Sequence, residues 1–323
     1  MTDSLVLLAY AIGAGTAGAA LLRRCAWPQR APRLGVAAWQ ALSGSVVLAL
    51  LLAGITAVVP LRAIVTTNPA EVLHTCLMAL RAQYDTLEGA VLHATGLAAT
   101  LGFAARVTYL LTTGLRDARR LRREHLTRLH LVAHRDCTLD AFIVDHPTAA
   151  AYCVPGREGT IVLTTAAVSA LGPDELAAVL AHERAHLRGR HHLVLAGAAA
   201  LAGTMPLMPG LRWAQAEQAR LLEMIADDDD AAVGAGRFTV ASALVHLAEG
   251  SVPAMAMGAA DIAAVARVRR LVNPAHRLGL AHRAAIGAAV VVTAAMPIAI
   301  AATPAWAATH AGYCSAPTLD RTA

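Results

Sequence analysis

The chain has 323 residues, 57% hydrophobic, 15% charged and only 4% aromatic, with a positive mean hydropathy of +0.52. That balance excludes an ordinary soluble enzyme and points to a membrane protein. The formal net charge of +5 rests on 27 arginines and no lysine; they cluster beside apolar runs, where arginine reports membrane topology, so no direct nucleic-acid binding is expected.

In chain order, residues 5–22, 36–59, 89–113 and 284–302 are apolar and long enough to span a bilayer. The first run lacks a basic leader and ends in Arg23-Arg24 instead of a small-residue cleavage site, which makes it an anchor. Segment 23–33 carries Arg23, Arg24, Arg30 and Arg33, and segment 116–128 carries Arg116, Arg119, Arg120, Arg122, Arg123 and Arg128. The 60–88 loop has only Arg62 and Arg81, and the tail only Arg321. The positive-inside rule then places both termini and that loop outside a bacterial cell membrane, and residues 116–283 in the cytoplasm. Arg106, inside the third span, is expected to snorkel toward the cytoplasmic interface. A further apolar run, 193–210, is interrupted by Pro206 and Pro209 and reads as a segment that dips into the membrane without crossing. Cys25, Cys137 and Cys153 fall on the reducing side as free thiols, while Cys76 and Cys314 are predicted to form a disulfide outside.

The cytoplasmic block carries the chemistry. Residues 159–164 are rich in β-branched side chains and follow a Pro155-Gly156 turn, which predicts a strand. Gly172-Pro173-Asp174-Glu175 then opens a helix, with proline at its first position and acids at the positive end of its dipole. Along it, Leu176, Val179, Leu180 and Leu187 form an apolar stripe, and His182-Glu183-Arg184-Ala185-His186 places two histidines one turn apart on one face. Such a pair binds one metal ion, and the intervening Glu183 is placed to take a proton from water at that ion.

Catalytic zinc takes three protein ligands and one water, so a third ligand is needed. His192 completes an H-E-x-x-H-x-x-G-x-x-H spacing, and Glu223 opens an E-x-x-x-D run ending at Asp227. The histidine would serve only if the helix broke at Gly189, and the sequence there reads as continuous helix. Glu223 is therefore the expected ligand. Asp227, one turn further along a helix over 214–233, is expected to orient a ligating histidine. Ala216, Ala219, Leu222 and Ala226 are that helix's expected packing positions, and Asp229 and Asp230 an expected solvated acidic end.

From the stretches 149–153, 161–164, 176–186 and 223–228 the chain resembles the BlaR/MecR type of membrane-embedded gluzincin, especially short actinobacterial members. The resemblance implies Zn²⁺ on His182, His186 and Glu223, Glu183 as base, and a protein or peptide substrate such as a transcriptional repressor. It departs from that type after residue 302, where about twenty residues are too few to fold as a penicillin sensor; direct β-lactam sensing is not expected, and a separate partner would supply any sensing. Membrane peptidases of the HtpX type, with a quality-control role, share the same zinc pattern. The expected fold is thus mainly α: a membrane region over 1–115 with three transmembrane helices, a cytoplasmic α+β zinc-peptidase domain over 116–283, and a last transmembrane helix with a short outer tail over 284–323.

The substrate backbone is expected to add as a strand along 148–154, with the small side chains of Ala149, Ala150 and Ala151 leaving the edge open. His246, Arg267, Arg269 and Arg270 are all candidates for stabilising a developing oxyanion. Two other classes of function compete. A non-catalytic zinc scaffold would have no use for Glu183 beside its ligand, and a transporter would need paired polar groups in the spans, where His93 and Arg106 are the exceptions in otherwise apolar sequence.

Overall fold

Alanine- and leucine-rich runs without interior breakers favour long helices, and helices dominate the chain. The computed structural model describes residues 2–58, 86–156, 159–233, 236–251, 259–273 and 278–311, with the single residues 74, 78, 81 and 276. Cys76 and Cys314, and with them the predicted disulfide, lie outside the described residues, while Cys25, Cys137 and Cys153 are free thiols. Four helical stretches are long and apolar enough to cross a membrane: Thr2–Arg24, Pro32–Val58, Gly89–Val132 and Leu280–Thr303. Each covers one of the four expected spans.

The first is helix α1, Thr2–Arg24, which carries a π-helical turn at Ala14–Gly18. A short α2, Trp27–Arg30, leads into α3, Pro32–Val58, and α4 runs unbroken over Leu87–Val132. The four-stranded sheet follows: β1 Ala133–Asp136, β2 Ala141–Val144, β3 Ala151–Val154 and β4 Thr160–Thr164. Its spatial order is β1-β2-β4-β3, with only the β2–β4 pair parallel, so β3 has one free edge. Helices α5 (Thr165–Ala170), α6 (Pro173–Arg188), α7 (His191–Thr204), α8 (Pro209–Val233), α9 (Arg237–Ser251), α10 (Ala259–Val272) and α11 (Leu280–Ala311) complete the chain.

Among the described residues, segment 193–210 is not one continuous helix and is not among those long and apolar enough to cross. It forms most of α7 and turns back into α8, and the two helices pack together as a hairpin. Its tip sits among the spans: Ala202, Met208 and Leu211 share a buried cluster with Leu7 and Ala11 of α1, Val46, Ala49 and Ala53 of α3, and Ala301 of α11. Gly210 passes so near the Gly15 carbonyl that a Cβ there would overlap it. From the tip, α8 descends along α1 and α3, burying Ala214, Leu221, Leu222, Met224 and Ile225 against Ala19, Val36 and Trp39.

Three expectations need correction. Arg106 does not snorkel: its Nε and Nη2 donate to the Thr204 and Gly203 carbonyl oxygens at 3.1 and 2.9 Å, capping the last turn of α7. A helix end presents unpaired carbonyls and a partial negative charge, and a guanidinium satisfies both. Ala216 is exposed, whereas Leu222 and Ala226 are buried, because α8 is covered on the side facing α1 and α3. Asp229 is not merely solvated, because Arg33 at the start of α3 donates to both its carboxylate oxygens, at 2.7 and 2.9 Å.

Candidate metal centre

Helix α6 begins as its sequence requires. Pro173 stands in the first turn, and the Gly172 N–H donates to the Glu175 side chain at 3.0 Å, the only half of a capping box that a glycine can make. The apolar stripe seats Val179 and Leu180 under the sheet with Ala141, Ile161 and Leu163. That leaves the opposite face, with His182, Glu183 and His186, on a cleft of about 410 Å³. Ala151, Tyr152 and Cys153 of β3 line one wall; Val240, Ala243, Leu244 and Leu247 of α9 line the other.

Glu223 of α8 completes the constellation. One ligand atom from each of His182, His186 and Glu223 lies within 4.8 Å of the others. The two histidine Nε2 atoms are 3.1 Å apart, and they stand 3.4 and 3.5 Å from the Glu223 carboxylate oxygens. Ligands held about 2.0–2.1 Å from a tetrahedral zinc are separated by about 3.3 Å. Both spacing and donor types therefore fit a zinc ion. His192 does not join the group.

Side chains behind the three candidate ligands fix this geometry. His182 Nδ1 is 3.2 Å from Asp227 Oδ1, which leaves its Nε2 free for the ion. Asp227, 1% exposed, is gripped by Arg267, whose Nε and Nη2 reach its two oxygens at 2.9 and 2.5 Å. Arg267 Nη1 also lies 3.0 Å from Glu223. Burial disfavours a charged His182, yet the Asp227 and Glu223 carboxylates outweigh it and raise its pKa to about 9. Burial likewise works against the Glu223 charge, but the two histidines and Arg267 hold its carboxyl far below the usual range. Asp227 is lowered for the same reasons. The site favours positive charge, as a cation site must.

His186 is held differently. Its Nδ1 is 2.8 Å from Nδ1 of His191, the first residue of α7. With Nε2 turned to the ion, His186 carries its proton on Nδ1 and donates it to His191. His191 is the acceptor because it is neutral: burial, then the adjacent His186, lowers its pKa to about 4.

This contact requires the helix break that the sequence did not announce. Helix α6 stops at Arg188, Arg190 adopts a left-handed conformation at φ 49°, and α7 restarts at His191. Gly189 is needed there because a Cβ would strike the His191 ring. The expectation of continuous helix was therefore wrong, although His192 is not among the residues brought together with His182, His186 and Glu223. His191 belongs to no metal-ligand spacing in the sequence; the glycine beside a basic helix end was the signal available for it.

Among the oxyanion candidates, Arg267 alone lines the cleft. His246 and Ser242 are bound to Glu175, at 3.0 and 2.5 Å, and Arg270 grips Asp228 at 2.6 Å. Arg269 is exposed. Of the three alanines expected along the substrate strand, only Ala151 borders the cleft, followed by Tyr152 and Cys153. Ala149 is buried, and the Ala150 N–H and carbonyl are both spent on Thr164. The open edge begins at Ala151 and not at residue 148, because Thr164 takes up the backbone groups of Ala150. Cys153, also in the cleft, is no nucleophile: burial and the nearby Glu183 charge push its thiol up to about 12.

Two histidines on one helix, a carboxylate from a second and an acid beside the first histidine, all under a free sheet edge, define the class of metallopeptidases. The family model of Peptidase family M48 matches residues 116–310, and the chain belongs to that family. M48 peptidases are zinc enzymes, in keeping with the donor set found here. Comparison with curated proteins and with solved structures gave no match.

Proposed function

We propose that the protein is an integral membrane zinc endopeptidase that cleaves a protein substrate at the cytoplasmic face of the membrane. The observation that carries this reading is the triad of His182, His186 and Glu223, with Glu183 in the same cleft below the free edge of β3. Zn²⁺ held by the triad would supply Lewis-acid polarisation of water and of the scissile carbonyl. Glu183 takes the proton from the attacking water and returns it to the leaving amine. Arg267 keeps Asp227 and Glu223 in place and presents its guanidinium to the cleft, where negative charge develops on the carbonyl oxygen. The β3 edge offers unpaired backbone groups to an extended chain, and the apolar α9 wall receives a hydrophobic side chain near the scissile bond.

The test is zinc content and casein hydrolysis of the detergent-purified full chain. Wild type should hold one zinc, Glu183→Ala and His192→Ala should keep it, and Glu223→Ala should lose it. Hydrolysis should fall at least about 100-fold in Glu183→Ala. Zinc retained by Glu223→Ala would overturn the ligand assignment. The family match does not extend to the BlaR/MecR type, so repressor cleavage is a narrower proposal beside HtpX-like membrane quality control. The two differ in what an inactive Glu183→Gln enzyme would trap: a DNA-binding protein or misfolded membrane proteins.

A further inference from the structure

A second cavity, of about 500 Å³, adjoins the candidate active site. It lies on the other face of β3, against the arginine-rich end of α4, and shares Tyr152 and Cys153 with the catalytic cleft. From α4 it is lined by Arg122, Glu124, His125 and Arg128. Glu124 is taken up by Arg120 at 2.8 Å. Among the described residues, no carboxylate stands within ion-pair distance of Arg122 or Arg128. His125 Nε2 meets the Tyr152 hydroxyl at 3.0 Å and holds the helix against the strand.

Successive side chains of a strand point to opposite faces. Ala151 and Cys153 pack on the α6 side, with Leu176, Leu187 and Leu247, while Tyr152 packs on the α4 side, with Leu126 and Leu129. A chain added along the free β3 edge inherits this alternation. Where one of its side chains enters the apolar catalytic cleft, its neighbours in sequence face the α4 side.

Resting on the peptidase reading above, we infer that the α4 groove is a specificity subsite in which Arg122 and Arg128 receive an acidic substrate side chain, adjacent in sequence to the apolar one held in the cleft. Burial already strains the Arg122 charge, and Arg119 repels it, so a carboxylate would relieve both effects. Arginine is suited to this because its guanidinium can bind a carboxylate through two parallel hydrogen bonds.

The test is cleavage of a degenerate dodecapeptide library by the zinc-loaded full chain in detergent, with cut sites read by mass spectrometry. Wild type should enrich Asp and Glu about two- to fivefold at one position beside an apolar residue. Arg122→Glu/Arg128→Glu should replace that preference with Lys and Arg, and Arg122→Lys should keep it. A flat profile in wild type, or an acidic preference surviving in the double variant, would overturn the subsite. Binding of fluorescent peptides to Glu183→Gln is measured in parallel, so failed catalysis is told apart from a failed subsite. Tighter binding of an Asp-containing peptide than of its Lys counterpart supports the subsite even without turnover; equal binding overturns it. Loss of affinity for phosphatidylglycerol vesicles in the double variant, with peptide preference unchanged, would assign these arginines to lipid headgroups and overturn it too.

Discussion

At the metal centre the two histidines are oriented by unlike partners, a carboxylate for His182 and a neutral imidazole for His186. An imidazole acceptor adds no negative charge, so it orients its partner without deepening the well that already contains Glu223 and Asp227. Removing an orienting partner typically costs 10–100-fold in metal affinity. His191→Ala should therefore weaken zinc binding about 10–100-fold in a chelator competition, with the ligands themselves intact. Gly189→Ala should have the same effect, because its new methyl occupies the space of the His191 ring. Unchanged zinc affinity in both variants would mean that His186 needs no such support.

Between elements, Glu175 ties the start of α6 to α9 through Ser242 and His246. The Ser242 hydroxyl, the Gly172 N–H and His246 all favour its charged form and hold its carboxyl below the ordinary value of 4.5. A depressed folded-state pKa means that this stabilisation is present above the ordinary value and is lost as pH falls through the folded one. Glu175→Gln should thus be less stable than wild type by about 1–2 kcal/mol at pH 7. The difference in Tm should close on acidification below pH 4.5; a gap independent of pH would show that the charge contributes nothing. The α7–α8 hairpin depends on Arg106 in the same way. A guanidinium at the centre of an apolar helix costs about 2.5–3.5 kcal/mol in a bilayer, and orphaned carbonyls there cost several kcal/mol each. Capping two of them offsets the first cost. Arg106→Leu should lower Tm in detergent, and Gly210→Val should do so as well by forcing α8 off α1. No fall in either variant would mean that the hairpin tip is not held by these contacts.

Across the whole molecule, the arginine-rich ends of the long helices gather at the end that holds the candidate site. Arg30 and Arg33 before and within α3 share a groove with Asp228 and Asp229 of α8 and with Arg283 of α11. Arg270 of α10 reaches the Gln29 carbonyl as well as Asp228. By the positive-inside rule, this clustering is what the proposed orientation, with the peptidase face cytoplasmic, would require. Cys25 and Cys137 are exposed thiols on that side. A membrane-impermeant maleimide should label both only after the cells are permeabilised, and labelling of intact cells would reverse the topology. Cys153, half-buried and with its pKa pushed up to about 12, should stay unlabelled in the folded protein.

Local patterns made much of this legible from sequence. Hydropathy alone marks the apolar helices, because a run of about twenty apolar residues has few other stable fates. The one-turn spacing of His182 and His186, and of Glu223 and Asp227, puts each pair on one helix face whatever surrounds it. Apart from the approach of Glu223 and Asp227 to the histidines, which the E-x-x-x-D run pointed to, contacts between distant segments lay beyond sequence. Arg267, 40 residues from Asp227, grips it only because α10 packs beside α8. His191 reaches His186 only because Arg190 takes a left-handed turn that its residue type does not favour. Arg106 finds the end of α7 only because the hairpin turns back among the spans, and β3 has a free edge only because β4 inserts beside β2. Helix periodicity is a short-range property of neighbouring residues and can be read along the chain. Interhelical caps such as Arg106, supports such as Arg267 and His191, and sheet edges arise from packing between remote elements, and only the tertiary fold decides them.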